Sequence, residues 1–223
     1  MAAPLLGWRW VRRAPEGLRP GDPQPRLGVL GGTFNPVTRA HLALAETARR
    51  EFALGEILFV LPGQLPHRAP DETTVEDRLA LLEAALAAHN SFSLAVCSHG
   101  LFLDIAEALA PHYPAETRVY FLTGSDAAER ILGWDYAEPE KTLAEMFARF
   151  DLIVAARAGQ PALPAAARLA AFRPKIHTLR LPADVQKISA TEVRERLRAG
   201  LPVDELVPPA VADAIRARGL YRP

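Results

Sequence analysis

The sequence predicts an α/β fold: a doubly wound parallel sheet with helices on both faces. Three observations lead there. From Arg26 onward, short apolar runs alternate with segments of helical period. The runs are continuous rather than alternating in polarity, as strands buried on both faces are. Turn residues close several of them: Gly31-Gly32 after the first, Pro62-Gly63 after the second and Gly124 after the fourth.

The elements follow in order. Leu27–Leu30 reads as the first strand. A helix begins near Thr38 and carries Leu44, Ala45, Ala48 and Phe52 on one face. Ile57–Leu61 is the second strand. Thr73 and Glu76 have the spacing of a capping box, ahead of a helix whose apolar face is Val75, Leu79, Leu82 and Leu86. Phe92–Val96 is a strand, Leu101–Leu109 a helix, and Val119–Leu122 the fourth strand. Leu143–Phe150 is helical and Leu152–Ala155 extended. Ala165–Phe172 then reads as a helix, Ile176–Leu179 as an edge strand and Thr191–Ala199 as a helix. The last helix starts at Pro209, a residue suited to a first helical turn, and stops at Gly219. Such alternation is Rossmann-like and contains no internal repeat.

Composition limits the function classes. The 223 residues suit one domain with a small appendage, and a chain of that length can bury a core without staples. Twenty-six basic against 26 acidic residues give zero formal charge, which removes a global electrostatic argument for nucleic acid or an anionic membrane. Uninterrupted apolar stretches long enough to span a bilayer are absent. The single cysteine, Cys97, excludes an internal disulfide and a cysteine-based zinc cluster, and fits a reducing cytoplasm. Residues 1–25 hold five prolines and four arginines without helical or strand period. Composition reads them as a flexible extension to a domain over 26–223. The alternative is an ordered arm that docks through Trp8 and Trp10.

Ligands of open parallel sheets bind at the carboxyl ends of the strands, and three such ends carry unusual residues. After the first strand comes Gly31-Gly32-Thr33-Phe34-Asn35-Pro36-Val37-Thr38-Arg39-Ala40-His41. Two glycines allow close approach of a phosphate, and the free N–H groups of the next helix face the same place. Thr38 and His41, three apart, share one face of its first turn. This is neither a Walker loop nor a Gly-x-Gly-x-x-Gly turn. The second end, Thr123-Gly124-Ser125-Asp126, offers an acid to ribose hydroxyls, or equally a helix cap. The third is Ile188-Ser189-Ala190-Thr191-Glu192-Val193-Arg194. Capping explains Ser189 and Glu192 but leaves Arg194 beside a helix start where an anion would sit.

Together these segments resemble the nicotinic acid or nicotinamide mononucleotide adenylyltransferases of the nucleotidyltransferase superfamily, over Arg26 to Tyr221. Leu65-Pro66-His67-Arg68 is similar to that family's Pro-Pro-His-Lys loop, and Gly124-Ser125-Asp126 with Trp134 to its Gly-x-Asp…Trp segment. The usual His-x-Gly-His reads Thr38-Arg39-Ala40-His41, and Ala190 and Arg68 also depart from the pattern. The resemblance implies adenylyl transfer from ATP, with magnesium, to a pyridine mononucleotide in the cytoplasm, leaning to the nicotinic acid form.

In that scheme His41, Thr38 and Arg194 carry catalysis. Gly31, Gly32, Thr33, Phe34, Gly124, Asp126, Ile188, Ser189 and Thr191 join His41 and Arg194 in binding ATP. Thr33, Phe34, Arg68 and Trp134 meet the mononucleotide, and no protein side chain is assigned to a metal. Trp134 otherwise reads as a packing aromatic and Arg68 as a solvated surface arginine. Nicotinamide mononucleotide as acceptor, a pantetheine-phosphate adenylyltransferase, a cytidylyltransferase and a non-catalytic nucleotide-binding paralogue stay open. A homo-oligomer is compatible with all of them. Neither nucleic acid nor membrane is expected as a partner.

Overall fold

Seven strands lie in the order β1-β4-β3-β2-β5-β6-β7 in a computed structural model that describes residues 7–63, 73–133, 136–156 and 167–222. The strands are β1 (Trp8–Arg12), β2 (Arg26–Gly31), β3 (Glu56–Pro62), β4 (Phe92–Cys97), β5 (Arg118–Gly124), β6 (Asp151–Ala156) and β7 (Ile176–Arg180). All pairings are parallel except β1 with β4. The chain steps outward from β2 through β3 to β4, then returns to the other side of β2 for β5, β6 and β7. The sheet therefore has its topological switch between β2 and β5, where a crevice opens at the carboxyl ends.

Strand residues alternate between two cores. Leu30, Phe59, Leu94, Leu122 and Ile153 pack under α1 (Arg39–Glu51), α2 (Val75–Leu86), α6 (Ala190–Arg198) and α7 (Pro209–Arg218). Val29, Val60, Ala95, Phe121 and Val154 pack under α3 (Phe102–Leu109), α4 (Ser125–Gly133) and α5 (Pro139–Arg149). Phe121 is fully buried, its ring centroid 4.5 Å from that of Phe102 and 4.4 Å from that of Phe150.

Three local expectations change. Trp8–Arg12 forms a strand, so the reading as an ordered arm describes these residues. Trp8 and Trp10 pack against His112, and Trp10 also against Tyr113. Residues 14–18 then close around Glu56, which is 1% exposed. Its carboxylate accepts from Leu18 N–H (2.9 Å), Ser93 Oγ (2.6 Å) and Tyr113 OH (2.6 Å). Gly17 sits so close that a Cβ there would lie 2.5 Å from a Glu56 oxygen.

The cap of α2 is Thr74 with Asp77, not Thr73 with Glu76. Thr73 is buried and its hydroxyl donates elsewhere. The segment expected as the helix Ala165–Phe172 is a 3₁₀ helix over Ala167–Lys175, with Pro174 inside it, and residues 165–166 lie outside the described residues.

Candidate active site

Strand β2 ends at Gly31, and the chain turns through Gly32-Thr33-Phe34-Asn35-Pro36 into α1. Neither glycine carries the left-handed backbone of the turn. Phe34 does, at φ 44°, with its ring fully buried. Gly32 is needed for another reason: a Cβ there would press on the Phe34 ring at 3.2 Å. A bulky residue keeps this unfavourable φ only where its surroundings hold it, and here the core holds the ring.

Thr38 is the N-cap of α1 and is wholly buried. Its backbone N–H lies 3.0 Å from His41 Nδ1, and its hydroxyl 2.8 Å from the same atom. An amide N–H can only donate, so Nδ1 is assigned as the acceptor and the proton of the neutral ring belongs on Nε2. The Phe34 ring meets that imidazole edge-on, centroids 5.2 Å apart. Burial lowers the His41 pKa from the ordinary 6.5 to about 4. His41 is thus a neutral ring with a fixed tautomer and one N–H free for a ligand.

The crevice at the switch holds a cavity of about 210 Å³. Thr38 and His41 line it with Gly124, Ile188 and Ser189, bringing together residues from all three strand-end segments. Its volume is below the roughly 300–1,000 Å³ of a small-molecule site, so it suits one moiety of a nucleotide. Leu44, Leu181 and Val185 supply apolar walls. Gln186 Nε2 donates to Leu181 O (2.7 Å), which fixes the side-chain amide at the wall.

Gly31, Gly32, Thr33, Phe34, Asp126, Thr191 and Arg194 do not line that cavity. Ser189 caps α6 by accepting from Glu192 N–H (3.1 Å). Arg194 Nη1 donates to Asn35 O (2.7 Å), and Nη2 to the exposed Thr191 Oγ1 (3.3 Å). This places Arg194 against the loop after β2, although 159 residues separate it from Asn35. Gly124 has open space where a Cβ would be. Asp126 lies exposed in the first turn of α4, and its backbone carbonyl accepts from Arg130 Nε (3.3 Å). Arg68 and Trp134 lie outside the described residues. Among those described, no three His, Cys, Asp or Glu side chains converge as a metal-binding group.

Sequence reasoning missed the residues that hold the loop. Arg78, 6% exposed, donates from Nη1 to Thr33 O (3.3 Å). Its signal was an arginine on the apolar face of α2, beside Leu79. Asn35 Oδ1 accepts from Thr73 Oγ1 (2.8 Å) and from Tyr221 OH (2.6 Å). Nothing in the local pattern links position 35 to 73 or 221.

Residues 29–196 match the model of the cytidylyltransferase-like family. A "Probable nicotinate-nucleotide adenylyltransferase" of Moorella thermoacetica is 34% identical over 220 residues, covering 92% of this chain and 94% of its own. One of the same name from Bordetella pertussis is 33% identical, covering 88% and 98%. The chain belongs to the cytidylyltransferase-like family and, within it, to the nicotinate-nucleotide adenylyltransferases. The fold agrees: a Plasmodium falciparum nicotinic acid mononucleotide adenylyltransferase complexed with NaAD superposes with a TM-score of 0.69 at 21% identity, covering 89% of this chain and 98% of that one.

Proposed function

We infer that this enzyme transfers the adenylyl group of ATP to nicotinic acid mononucleotide, forming deamido-NAD and pyrophosphate, a step of NAD biosynthesis. One observation carries the residue-level reading: a neutral, tautomer-fixed His41 at the start of α1, on a cavity where the ends of β2, β5 and β6 meet. A phosphate oxygen of the mononucleotide attacks the α-phosphorus of ATP. The bond to the bridging oxygen breaks, and pyrophosphate leaves. Because the substrate brings its own nucleophile, the protein contributes position and charge stabilisation.

In this reading His41 Nε2–H donates to the α-phosphate as charge builds, and the Thr38 hydroxyl, by holding Nδ1, keeps that donor in place. The loop from Gly31 to Phe34 offers backbone N–H groups to phosphate. Arg194, with Ser189 and Thr191, neutralises the leaving pyrophosphate. Gly124 and Ile188 border the base and ribose, with Asp126 at the rim. Arg68 and Trp134 are proposed for the mononucleotide on the family resemblance. Magnesium enters as part of the ATP substrate, bound to its phosphates, as an ion that prefers few protein ligands does. The buried lone Cys97 favours a reducing compartment, and we place the enzyme in the cytoplasm. Among the described residues, no helix is long and apolar enough to cross a membrane.

The test is pyrophosphate release by the purified protein with ATP and magnesium. Acceptors would be nicotinic acid mononucleotide, nicotinamide mononucleotide, phosphopantetheine and none. Preferred turnover with the nicotinic acid form is expected. Turnover confined to another acceptor would overturn the substrate assignment.

A further inference from the structure

We propose that Tyr221, near the carboxyl end of the sequence, is a positioning residue for adenylyl transfer, acting through Asn35 on Arg194. The inference rests on the reading that the loop after β2 and Arg194 hold the phosphates of ATP. Tyr221 is 5% exposed, and a buried phenol needs a partner for its hydroxyl. It finds one 186 positions earlier in the sequence, Asn35 Oδ1 at 2.6 Å. Burial keeps the phenol protonated by raising its pKa, so it is a standing donor.

The geometry around Asn35 makes the contact more than a plug in the core. Its side-chain oxygen takes two donors, Tyr221 OH and Thr73 Oγ1 (2.8 Å), which together fix the orientation of the amide. Its main-chain oxygen accepts Arg194 Nη1 at 2.7 Å. One residue, 4% exposed, therefore joins the carboxyl terminus to the guanidinium assigned to the leaving group. The tail is shaped for this task. Gly219 ends α7 at φ 63°, Leu220 N–H returns to Ile215 O (3.1 Å), and Tyr221 itself adopts φ 60°. A tyrosine takes that conformation only where its surroundings hold it.

Tyr221→Phe keeps the ring and removes only the hydroxyl. It should lower kcat/KM for ATP by about threefold to tenfold, the worth of one buried hydrogen bond. A purely structural role predicts the same loss, so the deciding measurement is a double-mutant cycle with Arg194→Ala. If Tyr221 acts through Asn35 on Arg194, Tyr221→Phe costs less than about twofold once Arg194 is gone. Arg218→Ala is the control for tail destabilisation. It breaks the Arg218–Asp77 pair (3.1 Å) between α7 and α2, and should lower Tm while leaving kcat/KM unchanged.

Wild-type kcat/KM in Tyr221→Phe, or an equal factor in both backgrounds, would overturn the proposal and leave the phosphate-site reading standing. Wild-type kcat/KM in Arg194→Ala would instead remove the phosphate-site reading and the proposal with it.

Discussion

Replacing His41 by alanine removes the one imidazole that lines the candidate site among the described residues. A preorganised donor to a developing oxyanion is worth on the order of 2.7–4 kcal/mol, so turnover should fall by about two to three orders of magnitude. The fall should be in kcat, because the donor acts on charge that grows in the transition state. Thr38→Val is the graded companion. It keeps the backbone N–H at 3.0 Å from Nδ1 but deletes the hydroxyl at 2.8 Å, costing about 0.5–1.5 kcal/mol.

The same geometry makes a second, independent demand. Protonated at Nδ1, the ring would face the Thr38 amide donor to donor, and burial already lowers its pKa from 6.5 to about 4. That gap is at most about 3 kcal/mol of resistance to protonation, since solvent reaches part of the ring. The native state holds His41 neutral while the unfolded chain binds a proton below pH 6.5. This contribution to stability is therefore lost as pH falls from 6.5 to about 4, and is constant below that. Saturating pyrophosphate-release rates test the first demand, and NMR titration of the His41 ring in the free protein tests the second. His41→Ala turning over within about threefold of wild type, against the expected hundredfold or more, would refute the assigned role. A ring titrating near 6.5 would refute the assigned tautomer lock.

Other outcomes follow from parts of the fold away from that ring. Glu56→Gln must turn an amide N–H₂ toward one of three donors, and should cost about 1–3 kcal/mol by urea unfolding without changing kcat. Burial works to raise the Asp151 pKa, but hydrogen bonds from His177, Arg118 and Lys175 outweigh it and hold the pKa below the ordinary 3.8. Its stabilising contribution is present above pH 3.8 and lost as pH falls further, so Asp151→Asn should flatten the acid limb of a Tm-against-pH curve. Phe121→Ala, in the core under α3 and α5, should cost about 3–5 kcal/mol by denaturant unfolding while the folded fraction keeps its turnover.

The parallel sheet was legible because most of its strands are apolar runs and several are closed by turn residues. Leu27–Leu30 and Ile57–Leu61 lie inside β2 and β3 for that reason. Helix α4 was missed: Ser-Asp-Ala-Ala-Glu-Arg-Ile-Leu buries only Ser125, Ala128 and Leu132, too few to mark a face. Strand β1 was hidden by its two arginines and by the prolines on either side of it, since a five-residue strand depends on the neighbour it pairs with. Thr73 and Thr74 both satisfy a capping pattern, and the choice was made by Asn35, which needs a donor from the first of them. The strand ends could be read, and His41 and Thr38 with them, because helix spacing sets which side chains meet. Asn35, Arg78 and Tyr221 could not, because their partners are set by the return of distant segments to one loop.

Strand β1 also decides what the sheet shows to other molecules. Without it, β4 would be the outer strand, and Phe92–Cys97 would offer an apolar row of unpaired amides and carbonyls, the kind of surface on which chains aggregate. The antiparallel strand moves that border outward to Trp-Arg-Trp-Val-Arg, where Arg9 stands exposed and Arg12 is tied to Leu86 O and His89 O. A charged rim replaces a greasy one. On this view Trp8–Arg12 protects solubility, and loss of that strand would be felt as clumping of the protein before any loss of chemistry.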